Sequence, residues 1–238
     1  MTIHHDKMAY GRIRGLSEDA EEEKLAELAR KIGPEDGGKT EYEKMISGEL
    51  YDPADRELSA MRLKVRRLAD AYNRTEADEE IRRESILRQI FGHCGAGVFC
   101  EPPVHFDYGT NTSVGDWFYS NFNLVILDTG KVTIGKNCLF GPNVTIAAAL
   151  HPKAAAERAR YVNAEGKVTD REYAAPVAIG DDVWLGANVV VCAGVSIGSG
   201  TVVGAGSVVV RDLPSGVLAA GNPCRVIRPV TEEDRMLR

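Results

Sequence analysis

Residues Val177–Val210 read "VAIGDDVWLGANVVVCAGVSIGSGTVVGAGSVVV". Stepping by six from Ile179 lands on Leu185, Val191, Ile197, Val203 and Val209, all aliphatic. The residue after each is Gly180, Gly186, Cys192, Gly198, Gly204 and Val210, mostly small. Four places after each aliphatic come Val183, Val189, Val195, Thr201, Ser207 and Leu213. A period of six fits neither the helical repeat nor the alternation of a plain strand. A helix would not tolerate this density of glycine and β-branched residues. The period describes a short strand, a corner and another short strand, with aliphatics of one phase stacked inside a prism. Glycine and asparagine at the corners are expected to supply backbone angles that residues with a Cβ enter at a cost. The stretch therefore predicts a mainly β fold, a parallel β-helix whose coils bury one another.

Upstream, Ile134-Gly135 and Phe140-Gly141 show the same step, and Val114-Gly115 is a weaker start. Between them and the quoted stretch, "IAAALHPKAAAERARYVNAEGKVTDREYAAP" (Ile146–Pro176) breaks the pattern, which then resumes. This is the signature of a loop, 147–176, leaving one coil of a prism, with His151 at its root. Loops on rigid scaffolds are where catalytic groups tend to sit. Histidine also has the unperturbed pKa suited to taking a proton near neutrality. His4, His5, His93 and His105 lack such a setting and read as structural or exposed.

Residues 39–93 have helical texture. "EYEKMISGEL" is a short helix ended near Gly48. "ADRELSAMRLKVRRLADAYNR" carries Leu58, Met61, Leu63, Val65, Leu68, Ala69 and Tyr72 as an amphipathic stripe, and "DEEIRRESILRQIFG" carries Ile81, Ile86, Leu87, Ile90 and Phe91. The arginines Arg62, Arg66, Arg67, Arg82 and Arg83 read as a solvated face interleaved with acids. Residues 1–38 form a polar extension, with a charged helix over Leu16–Gly33 and "PEDGG" (Pro34–Gly38) as a linker; 231–238 is a tail.

A net charge of -6 argues against a nucleic-acid partner. No apolar run approaches a membrane span, and the N-terminus lacks an apolar signal core. The five cysteines, Cys94, Cys100, Cys138, Cys192 and Cys224, never fall in CxxC spacing. They read as free thiols in a reducing cytoplasm.

Several segments together carry a resemblance. They are "EKMISGELYDPADREL" (Glu43–Leu58), "EPPVHFDYGTN" (Glu101–Asn111), "FYSNFNLVILD" (Phe118–Asp128), His151-Pro152, "VAIGDDVWLGANVVV" and "AAGNPCRVIR" (Ala219–Arg228). In order and spacing, from about residue 39 to 230, the chain resembles the maltose and galactoside O-acetyltransferases, a group that includes nodulation acetyltransferases. The stretch from His151 to Pro176 looks longer than is usual in that family.

The resemblance implies a left-handed prism, against the usual crossover rule, and transfer of acetyl from acetyl-CoA to a sugar hydroxyl. It places the catalytic base at His151. On the acceptor side it implies Asp52, Asp107, Tyr119 and Asn121. On the donor side it implies Ala187, Ala205, Val210, Arg211, Arg225 and Arg228, with Trp184 near the thioester or capping a coil. Small residues at Ala187 and Ala205 would let the pantetheine arm lie along the backbone, and the Ala187 N–H would meet the developing oxyanion. The arginines would pair with CoA phosphates. Thr129 stands where the family has an acid, which leaves the acceptor sugar open. Homotrimers with active sites between subunits are implied, and no metal is expected. Rival readings are an acyltransferase with an amine or amino-acid acceptor, a carbonic-anhydrase-type metal enzyme on the same prism, and a non-catalytic solenoid.

Overall fold

The computed structural model describes residues 38–237. The helix expected over Leu16–Gly33 lies outside the described residues. Three helices come first: α1 (Glu41–Ser47), α2 (Arg56–Asn73) and α3 (Glu80–Ile90). Thr40 caps α1 by accepting from the Glu43 N–H, and the Glu43 carboxylate accepts from the Thr40 N–H, a reciprocal box. Gly48, at φ 79°, ends α1 in the left-handed conformation that favours glycine. Asp55 caps α2 through the Glu57 and Leu58 N–H groups.

The buried stripe of α2 is Leu58, Val65, Ala69 and Tyr72, and Leu63 is exposed. On α3 the stripe is Arg83, Ile86, Leu87 and Ile90, and Ile81 is 88% exposed. Both corrections have one cause. Leu63 and Ile81 sit two residues off the i, i+3, i+4 progression, on the opposite side of the helix. Arg83 is likewise not on a solvated face. It is buried, donates from Nε to Thr75 Oγ1 at 2.8 Å, and lies over the Phe99 ring. No helix among the described residues is long and apolar enough to cross a membrane.

From His93 the chain winds as a solenoid with three faces. The first face stacks 93–94, 112–114, 132–134, 177–179 and 196–197. The second stacks 99–100, 119–120, 139–140, 184–185, 202–203 and 217–220. The third stacks 104–106, 124–127, 145–147, 190–192 and 208–209. Every pairing between coils is parallel, and Arg225–Pro229 folds back antiparallel on Val217–Ala220 to close the last coil. The aliphatic position of the hexapeptide and the position four residues later both point inward. Ile179, Leu185, Val191, Ile197, Val203 and Val209 are buried, as are Val183, Val189, Val195, Thr201, Ser207 and Leu213. Burying each aliphatic side chain stabilises the stack by about 1.5–3 kcal/mol. At the open end Asn73 bonds Val104 in both directions, Nδ2 to its carbonyl and Oδ1 from its N–H. The helices thus cover an edge that would otherwise present unpaired backbone groups.

The corners are left-handed as expected, but the glycines that follow the buried aliphatics are not the corner residues. Gly135, Gly141, Gly180, Gly186, Gly198 and Gly204 do not have positive φ. They leave room for the next coil instead: a Cβ on Gly141 would sit 2.7 Å from the Ala187 nitrogen, and one on Gly186 would sit 2.7 Å from the Ala205 nitrogen. The left-handed corners fall two residues later, at Asn137, Asn143, Asp182, Asn188, Gly200 and Gly206. There the side chains hydrogen-bond along the prism axis, Asn123 to Asn143 at 2.9 Å and Asn143 to Asn188 at 3.1 Å.

The interruption leaves the register intact. Ile134 still pairs with Ile179, and Ile146 with Val191. The Lys136 N–H reaches Asp181 Oδ1 across 45 residues, while the Asp181 N–H reaches Ser199 Oγ across the ordinary 18. The intervening chain projects as an arm from the edge between the third and first faces.

Candidate active site

The root of the arm is a short antiparallel ladder. Ala149 pairs with Ala174 and Leu150 with Tyr173. Continuing that register sets His151 opposite Glu172. Asp170 comes two residues before Glu172. The His151 imidazole is exposed, and its nitrogen lies within 4.8 Å of a carboxylate oxygen of both Asp170 and Glu172. Those three donor atoms are also the one group among the described residues close enough together to hold a metal ion. Glu172 is anchored from the helical side. The Tyr51 hydroxyl donates to Glu172 Oε2 at 2.5 Å, and the two backbones bridge, Tyr51 N–H to Glu172 O at 2.9 Å and Glu172 N–H to Tyr51 O at 3.3 Å. Burial, and then the Glu172 charge, push the Tyr51 phenol far above its usual range, so it serves only as a donor.

Asp52 has no free carboxylate oxygen among the described residues. Its Oδ1 accepts from Thr169 Oγ1 at 2.6 Å and the Ala54 N–H at 2.9 Å, and its Oδ2 accepts from Asn163 Nδ2 at 2.6 Å. Thr169 and Asn163 belong to the arm, whose tip is a hairpin pairing Tyr161–Val162 with Val168–Thr169. Lys167 Nζ adds a bond to the Ala54 carbonyl at 3.0 Å. Asp52 therefore clasps the arm. Beside the root, Gly48, Leu50, Pro152, Lys153, Glu157 and Tyr173 line an open cavity of about 460 Å³.

Asp107 lies apart from this cavity. It follows the first strand of the third face, in a hollow against α2 with Arg66, Asp70, Asn73 and His105. Burial raises its carboxyl above the usual range, with Arg66 Nη2 3.8 Å away pulling the other way. Val210 follows the last strand of the same face, and Arg211 comes next, both exposed. Thr129 is buried, and its hydroxyl has no partner among the described residues.

The remaining residues occupy a different edge, between the second and third faces. Asn121 stands there in column with Gly141, Gly186 and Gly204, each N–H bonding the coil beyond. One residue on come Ala187 and Ala205, and neither N–H has an acceptor among the described residues. Tyr119, Leu139 and Trp184 form an outward column on the adjoining second face, with Leu139 and Trp184 each about half exposed (52% and 54%). On the closing strand Arg225 is exposed, with Nη1 on the Cys224 carbonyl. Arg228 is held by Asp234 through two bonds, 2.8 and 2.7 Å.

One chain thus presents an imidazole with two carboxylates on one edge and two unpaired amide N–H groups on another. The hexapeptide-transferase model matches residues 176–211, a succinyltransferase-type hexapeptide repeat matches 131–150, and the maltose acetyltransferase hexapeptide capping motif matches 44–95. The galactoside O-acetyltransferase of Escherichia coli K12 is 40% identical over 193 residues, 81% of this chain and 91% of that protein. The chain belongs to the maltose and galactoside O-acetyltransferase family. It is accordingly an enzyme, an acyltransferase. Among solved structures, a maltose O-acetyltransferase from Clostridium difficile 630 matches at 41% identity with a TM-score of 0.75, covering 82% of this chain and all of that one. A galactoside acetyltransferase in complex with coenzyme A matches at 37% identity with a TM-score of 0.76, covering 84% and 97%.

Within this family frame, sequence reasoning missed Asp170, Glu172 and Tyr51. The signal available was the acid pair in "TDREY" where the arm returns, but its partner Tyr51 lies 121 residues away.

Proposed function

We propose that the chain transfers the acetyl group of acetyl-CoA to a hydroxyl of a sugar, with His151 as general base and no acyl-enzyme. The observation that carries this reading is the division of labour between the two edges. One offers a proton acceptor at a rigid loop root, and the other offers free N–H donors beside a column of glycines. In the reaction the imidazole takes the hydroxyl proton as the sugar oxygen attacks the thioester carbonyl carbon. The negative charge that develops on the carbonyl oxygen is met by the Ala187 N–H, a preorganised donor. The intermediate collapses by expelling the CoA thiolate, and the proton on His151 passes to that sulfur.

Ala187 and Ala205 then flank the pantetheine arm, and Trp184 lies beside the thioester. Arg225 and Arg211, neither in an ion pair among the described residues, are the guanidinium groups for CoA phosphates, while Arg228 must first leave Asp234. Asn121 and Tyr119 approach the acceptor from the donor edge. Asp52 acts on the acceptor through the arm it holds. Because the two edges belong to one prism but lie on either side of its third face, the site is completed by a neighbouring copy, and we read the enzyme as a homotrimer. The outward Tyr119, Leu139 and Trp184 column supplies an apolar surface for that packing. The five cysteines, all free, suit a reducing cytoplasm.

The test is thiol release from acetyl-CoA with a panel of sugars and amines, with products mapped by mass spectrometry. Acetylated sugar supports the reading. Acetylated amine alone, or no thiol release with any acceptor, would sink it.

A further inference from the structure

The donor edge changes character part-way along the prism. Phe122, Pro142 and Ala187 occupy one column of it, their carbonyls accepting from the Asn143, Asn188 and Gly206 N–H groups, and Ala205 continues the column in the next coil. We propose that Phe122, with Pro142, is the stop that limits the length of the acyl group, so that the edge admits acetyl and rejects longer acyl thioesters. The proposal rests on acyl-CoA lying along this edge with its thioester at Ala187.

Three observations lead to it. The first is the supply of donors. The Ala187 and Ala205 N–H groups have no acceptor among the described residues. Pro142 has no N–H to offer, and the Phe122 N–H is taken by Asn121 Oδ1 at 2.7 Å. The run of available amides is therefore two coils long and ends at Ala187. The second is bulk. Gly186-Ala187 and Gly204-Ala205 give way to Gly141-Pro142 and then to Asn121-Phe122, so the column passes from methyl groups to a pyrrolidine ring and then to an aromatic ring. Phe122 is 49% exposed, so its ring stands out from the edge and is not part of the packed prism interior. The third is direction. Arg211 and Arg225, the cations for the CoA phosphates, belong to the last coils. Pantetheine then runs from them past Ala205 to Ala187, and whatever lies beyond the thioester faces Pro142 and Phe122.

Coils stack about 4.8 Å apart, so the Phe122 backbone lies about two spacings, about 10 Å, beyond that of Ala187, and its ring fills part of that gap. An acetyl methyl ends close to the thioester carbon. A hexanoyl chain cannot turn back along the space that pantetheine fills, and on the open side the sugar and the imidazole approach. Its extra methylenes are left with the direction that Phe122 closes. The reaction itself is unchanged: the acyl C–S bond breaks, the C–O bond to the sugar forms, and the proton passes through His151 to the thiolate.

The experiment measures kcat/KM for acetyl-, propionyl-, butyryl- and hexanoyl-CoA with one accepted sugar, in the full-length parent, Phe122→Leu and Phe122→Ala. The parent should decline with chain length, by roughly 10-fold or more from acetyl to hexanoyl, since a hydrophobic pocket separates ligands differing by one methylene by about 10–200-fold. Phe122→Ala should raise the hexanoyl-to-acetyl ratio roughly 10-fold or more, and Phe122→Leu should raise it less. A ring that only packs between subunits or supports its coil would change all four substrates together. A parental ratio in Phe122→Ala therefore overturns the proposal. So does a parent that uses hexanoyl-CoA as well as acetyl-CoA. Where Phe122→Ala does not fold, the Phe122→Leu ratio decides by the same criterion. Absence of thiol release from acetyl-CoA with every acceptor is a separate failure, of the donor-edge reading itself, and takes the stop with it.

Discussion

The two edges of this prism are built by opposite means. The donor edge is made of the repeat: Asn121, the glycines 141, 186 and 204, and the free N–H groups of Ala187 and Ala205 recur coil by coil. The base edge exists because the repeat stops: His151, Asp170 and Glu172 all lie in the interruption, and their partners Tyr51 and Asp52 come from the helical region. Periodicity can make a track for an extended ligand where successive coils repeat the same backbone, as Gly186-Ala187 and Gly204-Ala205 do. It cannot by itself assemble three different polar side chains, which needs a segment freed from the period and tied down elsewhere.

The largest effect should come from the base edge. His151→Ala is expected to lower kcat by about 10²–10⁴-fold, the usual worth of general base catalysis, while calorimetric CoA affinity stays at the parental value. A collapse of CoA affinity would erase the distinction between the edges. Gly186→Val attacks the other side, since its Cβ would meet the Ala205 nitrogen at 2.7 Å and the Val203 carbonyl at 3.1 Å. Overpacking of this kind costs about 1–3 kcal/mol, visible as a lower Tm. The acetyl-CoA KM should rise at least several-fold with the acceptor KM little changed.

Asp52→Ala should do the reverse. It removes charged hydrogen bonds to the arm, each worth roughly 1.5–3 kcal/mol at most in such settings. The acceptor KM should therefore rise, roughly 10-fold, with donor kinetics intact. An unchanged acceptor KM would make the clasp mere packing. The smallest effects separate two neighbours on the closing strand. Arg225→Ala should raise the acetyl-CoA KM a few-fold, more than it lowers kcat. Arg228→Ala should stay within about two-fold, as its guanidinium is already engaged by Asp234 at the surface. Equal effects would mean that Asp234 yields Arg228 to the ligand.

What could be read from the sequence follows the same division. The step from Ile179 to Val209 predicted the coils and their buried positions, because stacking imposes its period on the residues themselves. His151 was legible because it marks the break. The purpose of the glycines was not, since the steric need at Gly141 arises from Ala187, a residue in a different coil. The exposure of Ile81 and the burial of Arg83 turned on which side of α3 meets the prism, and apolar count alone does not fix that. Glu172 and the commitment of Asp52 to Asn163 and Thr169 are contacts across more than 100 positions, with |i−j| of 121, 111 and 117. Nothing local in the chain announces them.

The register that survives the arm has a consequence for how such enzymes diversify. Ile134 meets Ile179 as squarely as Ile179 meets Ile197, so the prism is indifferent to what is spliced between them. Doubling the length of a loop closed by fixed ends costs only about 0.6 kcal/mol. The arm can therefore be lengthened, shortened or exchanged as a cassette while the scaffold folds as before. Whatever the arm carries is thereby exchanged at one socket, without renegotiating the stacked coils.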